Sequence, residues 1–222
     1  MTASLQARVL RVLDSRQTPF SYKCNACNRC CHDKLIPVNP YEIARLAARL
    51  GISTTETIAR YTSNGGSALD FPDGKCVFLT ESGCSVHADR PLVCRLYPLG
   101  RVAQADGTET IVELAGHPET AGEYGTDGTV EQYFESQGAA PLMAAARRYH
   151  LLLGRVMDLL AAQGDSSQQE NGDGRQVVSL VDVDPAVQAH CHASNFEAPE
   201  DPWLKMEIHL QAVGDWLEDF EA

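Results

Sequence analysis

The chain has 222 residues, 44% of them apolar, which is enough for a complete hydrophobic core in one domain of ordinary size and too apolar for a disordered segment. A formal net charge of −12 leaves too few Lys and Arg to neutralise a phosphate backbone, so a general nucleic-acid surface is not expected, whereas a solvated acidic surface is. No apolar run approaches the roughly 18 residues of a membrane helix and Met1–Leu10 lacks the apolar stretch of a signal peptide, so no membrane contact is expected and the cytoplasm is the expected compartment.

Residues 4–16 are predicted as an amphipathic helix with Leu5, Val9, Val12 and Leu13 on one side. Residues 21–36 form a cysteine-dense loop. Asn39-Pro40 then opens a helix whose apolar residues Ile43, Leu46, Ala47 and Leu50 have helical spacing, and Gly51 ends it. Ser53 opens the next helix, with Glu56 completing a capping box, and this helix stops near residues 64–66. A short hairpin is predicted over 71–87, with arms Cys76–Leu79 and Cys84–His87 and its turn at Glu81–Gly83. Ala88–Pro98 reads as a compact segment, and a second hairpin follows at 99–114, turning at 105–107.

Residues 116–128 are rich in glycine and read as loop, and Thr129–Ser136 as a short helix. The longest helix is expected at Pro141–Gln163, with Leu142, Ala146, Tyr149, Leu153, Val156 and Leu160 recurring every three or four residues. Residues 164–174 hold no apolar side chain and are predicted as a flexible linker, the first point of attack in limited proteolysis. Val177–Val183 is β-rich, and a last helix runs from Asp201 to Phe220 with Trp203, Leu210, Val213 and Leu217 as its stripe. The expected fold class is α+β, mainly helical with small β-hairpins around a cysteine-ligated metal core. Residues 1–115 would form that core, and the helical part 116–222 would pack on it.

The chain has eight cysteines, and in a reducing compartment their clustering points to metal or redox chemistry rather than disulfides. Cys24-Asn-Ala-Cys27-Asn-Arg-Cys30-Cys31 places four thiols in eight residues. Thiolates are soft ligands that select zinc or iron–sulfur centres, and two residues between ligands let both sulfurs face one centre. The adjacent pair Cys30–Cys31 is awkward for one mononuclear site, because successive side chains of extended backbone point to opposite sides. One of the two would serve a second centre, bridge two metals or stay a free thiol.

The second half of the constellation is Cys76-x₇-Cys84-x₂-His87-x₆-Cys94. With His87 the donors number eight, enough for two four-ligand centres or for one cluster with thiols to spare. The dense loop and the surplus of thiols favour an iron–sulfur cluster, most simply 4Fe–4S; His87 and the short spacings favour zinc. A CxxC disulfide redox pair is the competing reading. Lys34, Lys75, Arg90 and Arg95 could offset the charge of several thiolates, while Cys191, between His190 and His192, reads as an isolated buried thiol before a further ligand. No Ser-His-Asp arrangement, P-loop, HExxH or Rossmann-type glycine turn is evident, so the residues leave open whether the chain is an enzyme.

These motifs, with Cys76-Val-Phe-Leu, Cys84-Ser-Val-His87 and Arg90-Pro-Leu-Val-Cys94-Arg-Leu-Tyr-Pro98, resemble the bacterial CxxCxxCC cysteine-cluster family over roughly residues 20–100. The resemblance implies zinc or iron chelation by Cys24, Cys27, Cys30, Cys31, Cys76, Cys84 and Cys94. The family also contains the flagellin lysine-N-methylases, whose methyl donor is S-adenosylmethionine. The expected function is therefore a metal-binding protein with a cysteine-ligated iron–sulfur or zinc centre, in metal handling or electron transfer. Two alternatives are a metal-dependent protein-modifying enzyme similar to those methylases and a structural zinc module that presents a surface to a protein partner.

Overall fold

The computed structural model of the protein describes residues 8–104, 106–162 and 179–221. In chain order these form β1 (Val9–Leu13), β2 (Pro19–Lys23), α1 (Pro40–Leu50), α2 (Thr54–Tyr61), β3 (Thr62–Ser63), β4 (Ala68–Leu69), β5 (Leu79–Thr80), β6 (Gly83–Cys84), α3 (Leu92–Leu96), β7 (Leu99–Ala103), β8 (Glu109–Leu114), β9 (Glu123–Thr129), α4 (Val130–Ser136), α5 (Ala140–Ala162), α6 (Val183–Ala193) and α7 (Pro202–Glu221). The fold is α+β, with small antiparallel sheets: β1-β8-β7, β2-β9, β3-β4 and β5-β6. Among the described residues no helix is long and apolar enough to cross a membrane.

The first predicted helix is a strand over Val9–Leu13; residues 1–7 lie outside the described ones. A five-residue run such as Val-Leu-Arg-Val-Leu fits either period, and its partner decides. That partner is β8, which pairs antiparallel and sets Arg11 opposite Glu113, with Arg11 Nε 2.6 Å from Glu113 Oε2. The second correction is β9, read from its glycines as loop. It pairs with β2 instead, and its glycines answer a steric demand: a Cβ on Gly125 would stand 2.6 Å from Ser21 Oγ, whose residue lies directly opposite.

The third correction lies at the β-rich run. Residues 177–178 lie outside the described ones, 179–182 form no strand, and Val183 begins α6. What organises this stretch is a reciprocal tie between two helix N-termini. Thr54 N–H donates to Asp184 Oδ2 and Asp184 N–H donates to Thr54 Oγ1, both at 2.8 Å, while the Thr54 and Thr55 hydroxyls donate to Asp182. The linker expected at 164–174 lies outside the described residues.

Other boundaries follow local chemistry. Asn39 and Glu42 form a reciprocal capping box on α1, with Pro40 at its first position and Gly51 (φ +69°) ending it. Ser53 caps α2, but Glu56 turns outward to Arg60 at 2.7 Å rather than closing the expected box. The 99–114 hairpin, α4 behind Thr129, α5 and α7 stand where periodicity and capping place them. On α5 the buried face is Leu142, Ala145, Tyr149 and Val156, whereas Leu153, expected on that face, is exposed.

Glu42 is 3% exposed and does more than cap its own helix. Its Oε2 accepts from Asn39 N–H at 2.8 Å and its Oε1 from Leu92 N–H, the first residue of α3, at 2.6 Å. One carboxylate thus joins the start of α1 to the start of the helix that carries Cys94. Glu42→Ala leaves two enclosed backbone donors unpaired and is expected to cost about 2–4 kcal/mol in urea unfolding. Glu42→Gln, which keeps one acceptor oxygen, should cost less; equal losses would show that the two hydrogen bonds are not the source.

Candidate metal centre

The cysteine loop leaves β2 and turns sharply. Ala26 and Asn28 have φ of +51° and +61°, in the left-handed region where Asn is tolerated and Ala carries a cost of roughly 1–2 kcal/mol. A 3₁₀ turn at Arg29–Cys31 follows, and the Cys30 and Cys31 sulfurs lie 4.0 Å apart. The loop is then stitched to residues 74–76. Asp33 N–H donates to Gly74 O at 2.8 Å and Cys76 N–H to Cys31 O at 2.9 Å. Gly74 has φ +77°, which favours glycine, and a Cβ there would stand 2.4 Å from Asp33 Oδ1, so the Asp33 carboxylate would have to turn aside. The stitch brings Cys76 beside Cys31 although 45 residues of sequence number separate them.

Cys84 sits on β6 and Cys94 on α3. The hairpin is shorter than predicted and its register pairs Cys84 with Leu79, so Cys76 is not set opposite Cys84 across it. Cys76, Cys84 and Cys94 meet instead by packing against one apolar cluster that contains Ile36, Val38, Ile43, Leu46, Leu69, Phe78 and Val86.

The electrostatics show which thiols are neighbours. Burial, first, and then the charges of Cys76, Cys30 and Cys84 push the Cys94 thiol well up. Cys76 is raised by burial and by Cys84 and Cys30, and Cys84 by burial and by Cys30. Cys30 and Cys31 share a hydrogen bond; Cys31 is pushed far up, and Cys30 is brought down, helped by Lys34 and Arg90. Cys30, Cys31, Cys76, Cys84 and Cys94 therefore form one electrostatic group. Cys27 also senses Cys30, and Cys24 is exposed.

Three of these sulfurs share a local pattern. The backbone N–H of the residue two positions on points at the sulfur: Arg29 for Cys27, Phe78 for Cys76 and Val86 for Cys84. Such donors favour the thiolate. The sulfurs are thus prepared for negative charge, yet burial and mutual repulsion hold most of them protonated. A bound cation would supply what the surroundings lack, which is the sense in which the donor set fits a soft metal. Among the described residues, no group of three or more His, Cys, Asp or Glu side chains stands in an arrangement that holds a metal ion.

The charged residues divide. Lys34 lies near the thiols, its ammonium 3.9 Å from the centre of the Tyr97 ring; burial lowers its pKa, while Cys30, Cys94 and Cys31 oppose that. Arg90 acts on Cys30 and Cys84 while its guanidinium donates to His87 O at 2.6 Å and Gln137 Oε1 at 2.8 Å. Lys75 is exposed. Arg95, expected as a counter-charge, is instead spent on the carbonyls of Arg90, Gln137 and Ala88. His87 is exposed, and its Nδ1 lies 3.3 Å from Arg90 Nη1, which can only donate, so a neutral ring carries its proton on Nε2. Cys191 is 1% exposed in a separate apolar cluster with Val183 and Val187, as an isolated buried thiol.

Sequence reasoning missed the aromatic wall beside the loop. Tyr22 packs edge-on against Tyr97 and Tyr124 at centroid distances of 6.0 and 5.1 Å, and Tyr133 Oη donates to Tyr97 O at 2.5 Å. Tyr97, in the Tyr-Pro that follows Cys94, was within reach of a motif argument; Tyr124 and Tyr133 carry no local signal. In metal-free protein, residue-resolved alkylation across pH should show Cys30 reacting as a thiolate below neutrality. Cys31→Ala should move its midpoint upward most and Lys34→Gln upward less, because the Cys31 hydrogen bond is the larger cause. A midpoint unmoved by both changes would contradict the grouping.

Neither a curated protein nor a solved structure matches the chain. A family model does match, from the end of β2 through most of β8, so that every cysteine except Cys191 falls inside it and the span runs past Pro98 to take in the β7-β8 hairpin. It covers less than half of the chain. Residues 23–113 match the model of the CxxCxxCC family, whose description reads "Putative zinc- or iron-chelating domain".

Proposed function

We propose that the chain binds a cysteine-ligated metal centre, an iron–sulfur cluster of the 4Fe–4S kind before zinc, and works in metal handling or electron transfer. The observation that carries this is the electrostatic group of Cys30, Cys31, Cys76, Cys84 and Cys94, five thiols drawn from four separate stretches of chain and short of compensating positive charge. Soft sulfur donors in that number suit zinc or an iron–sulfur cluster. Cys30, Cys76, Cys84 and Cys94 are assigned first, because Cys30 acts on each of the other three. Cys27 and Cys24 extend the donor set on the other side of Cys30, and residues 1–115 are the metal-binding core on which 116–222 packs. His87 is a ligand only if Arg90 gives up its Nδ1.

An iron–sulfur cluster bound by these thiolates would supply one-electron chemistry, with its potential set by hydrogen bonds to the sulfurs and by exposure. Zinc is the second reading because the family description names zinc beside iron. Anaerobically purified protein should be brown and contain iron with acid-labile sulfide. Colourless protein with stoichiometric zinc would replace the cluster by zinc, and protein that takes up neither metal would defeat the proposal. Cys76→Ser, Cys84→Ser and Cys94→Ser should each strip most of the metal, since each removes a thiolate from a closed set. Cys191→Ser should leave metal content at the parental level.

A further inference from the structure

The Cys27 sulfur is hydrogen-bonded from outside the family-matched segment. Residues 117–122, between β8 and β9, pass over the cysteine loop as a strap. Ala121 N–H donates to Cys27 Sγ at 3.4 Å and Thr120 Oγ1 lies 3.9 Å from it, so with Arg29 N–H the sulfur has donors on two sides. Hydrogen bonds of this kind orient a ligand before the metal arrives and hold its charge afterwards.

The strap is pinned at several points. Asn25, between the first two cysteines, donates Nδ2 to Ala121 O at 2.8 Å and to Glu123 Oε1 at 2.7 Å. Arg29, between the second and third, pairs with Glu119 at 3.0 Å. His117 N–H donates to Tyr97 Oη at 3.3 Å. Two glycines admit the aromatic wall: a Cβ on Gly122 would stand 2.0 Å from Tyr22 Oη, and one on Gly116 2.8 Å from Tyr124 Oη. The side chains that reach the strap from the loop are the residues between the cysteines, so the same eight-residue motif that offers the thiols also grips the segment that covers one of them.

We infer that residues 117–122 are a positioning element for Cys27, in which Ala121 N–H, placed by Asn25 and Gly122, holds the sulfur as a metal ligand and slows the release of the metal. This rests on the metal-binding reading above. The strap lies beyond residue 113, so it is a property of this chain rather than of the matched segment.

The test uses the full chain, zinc as the probe metal, and the variants Asn25→Ala and Gly122→Ala. In metal-free protein, hydrogen exchange at the Ala121 amide should quicken several-fold in both variants and stay unchanged at the Cys76 amide, which bonds to Cys31 O away from the strap. In zinc-loaded protein, transfer to a chromogenic chelator should be about tenfold faster in both variants, the equivalent of one hydrogen bond to a charged group. Thr120→Val should speed transfer less, and Thr120→Ser should restore the parental rate. Asn25 is on the surface, so its variant keeps the test open if Gly122→Ala fails to fold. Unchanged Ala121 exchange in a folded variant overturns the inference, and so does quickened exchange with parental zinc transfer. A parent that takes up neither zinc nor iron fails the metal reading itself and carries the inference with it; a parent that binds metal and passes it on at the same rate as its variants overturns the inference alone.

Discussion

Five thiols are brought together partly out of water with little positive charge to meet them, and much of the N-terminal structure is arranged around that fact. A buried thiol is comfortable when protonated and becomes a metal ligand only as a thiolate. The backbone aims N–H groups at Cys27, Cys76 and Cys84, and Lys34 and Arg90 add two cations, yet burial and mutual repulsion still hold Cys76, Cys84 and Cys94 up. An arrangement that prepares sulfurs for charge and then withholds the counter-charge makes chemical sense if a cation completes it.

The scaffold that produces this grouping uses few regular elements. The stitch between Asp33–Cys31 and Gly74–Cys76 is two backbone hydrogen bonds, and the hairpin that carries Cys84 is two residues a side. Such short pieces cannot hold themselves, and they lean on the apolar cluster of Ile43, Leu46, Phe78 and Val86 and on the Glu42 carboxylate. Glu42 and Arg95 play complementary parts: a buried acid collects backbone donors from α1 and α3, and a buried cation collects carbonyls from the segments on either side of α3. Both are charged groups used as connectors, which is why Arg95 is not free to act as a counter-ion for the thiols.

The part of the chain beyond residue 113 is joined to the cysteine loop directly. β9 pairs with β2, the strand from which that loop departs, and Tyr124 and Tyr133 of the C-terminal half stand against Tyr22 and Tyr97. Further away, α6 is tied to α2 by the Thr54–Asp184 exchange and to α7 by the Lys205–Asp184 pair at 2.6 Å, in a region that contains Cys191 and no other cysteine. Tyr41 of α1 packs with Leu142 of α5 and Met206 of α7, so support of α1, and through Glu42 of α3, comes from the C-terminal helices as well.

Local chemistry was legible in the sequence at several places where the cause was local, although the box expected at Ser53 and Glu56 did not close. Asn39-Pro40 announced α1 because a helix start needs only neighbouring residues, and Asp106-Gly107 marked the turn of the β7-β8 hairpin. The spacing of Cys24, Cys27, Cys30 and Cys31 was enough to indicate soft-metal chemistry, since four thiols in eight residues have few other uses. What the sequence left open depended on partners far along the chain. Val9–Leu13 became a strand because β8 pairs with it and sets Glu113 opposite Arg11; Glu123–Thr129 became one because β2 pairs along it, with Ser21 opposite Gly125; Arg95 turned to carbonyls because Gln137 and Ala88 surround it. Cys76 found Cys31 through a backbone stitch rather than across its own hairpin, and Ala121 reached Cys27 from outside the motif. Periodicity and spacing report what a residue can do with its neighbours; which thiols share one environment, and what charge they find there, is set by the approach of distant backbone, and only the tertiary structure decides that.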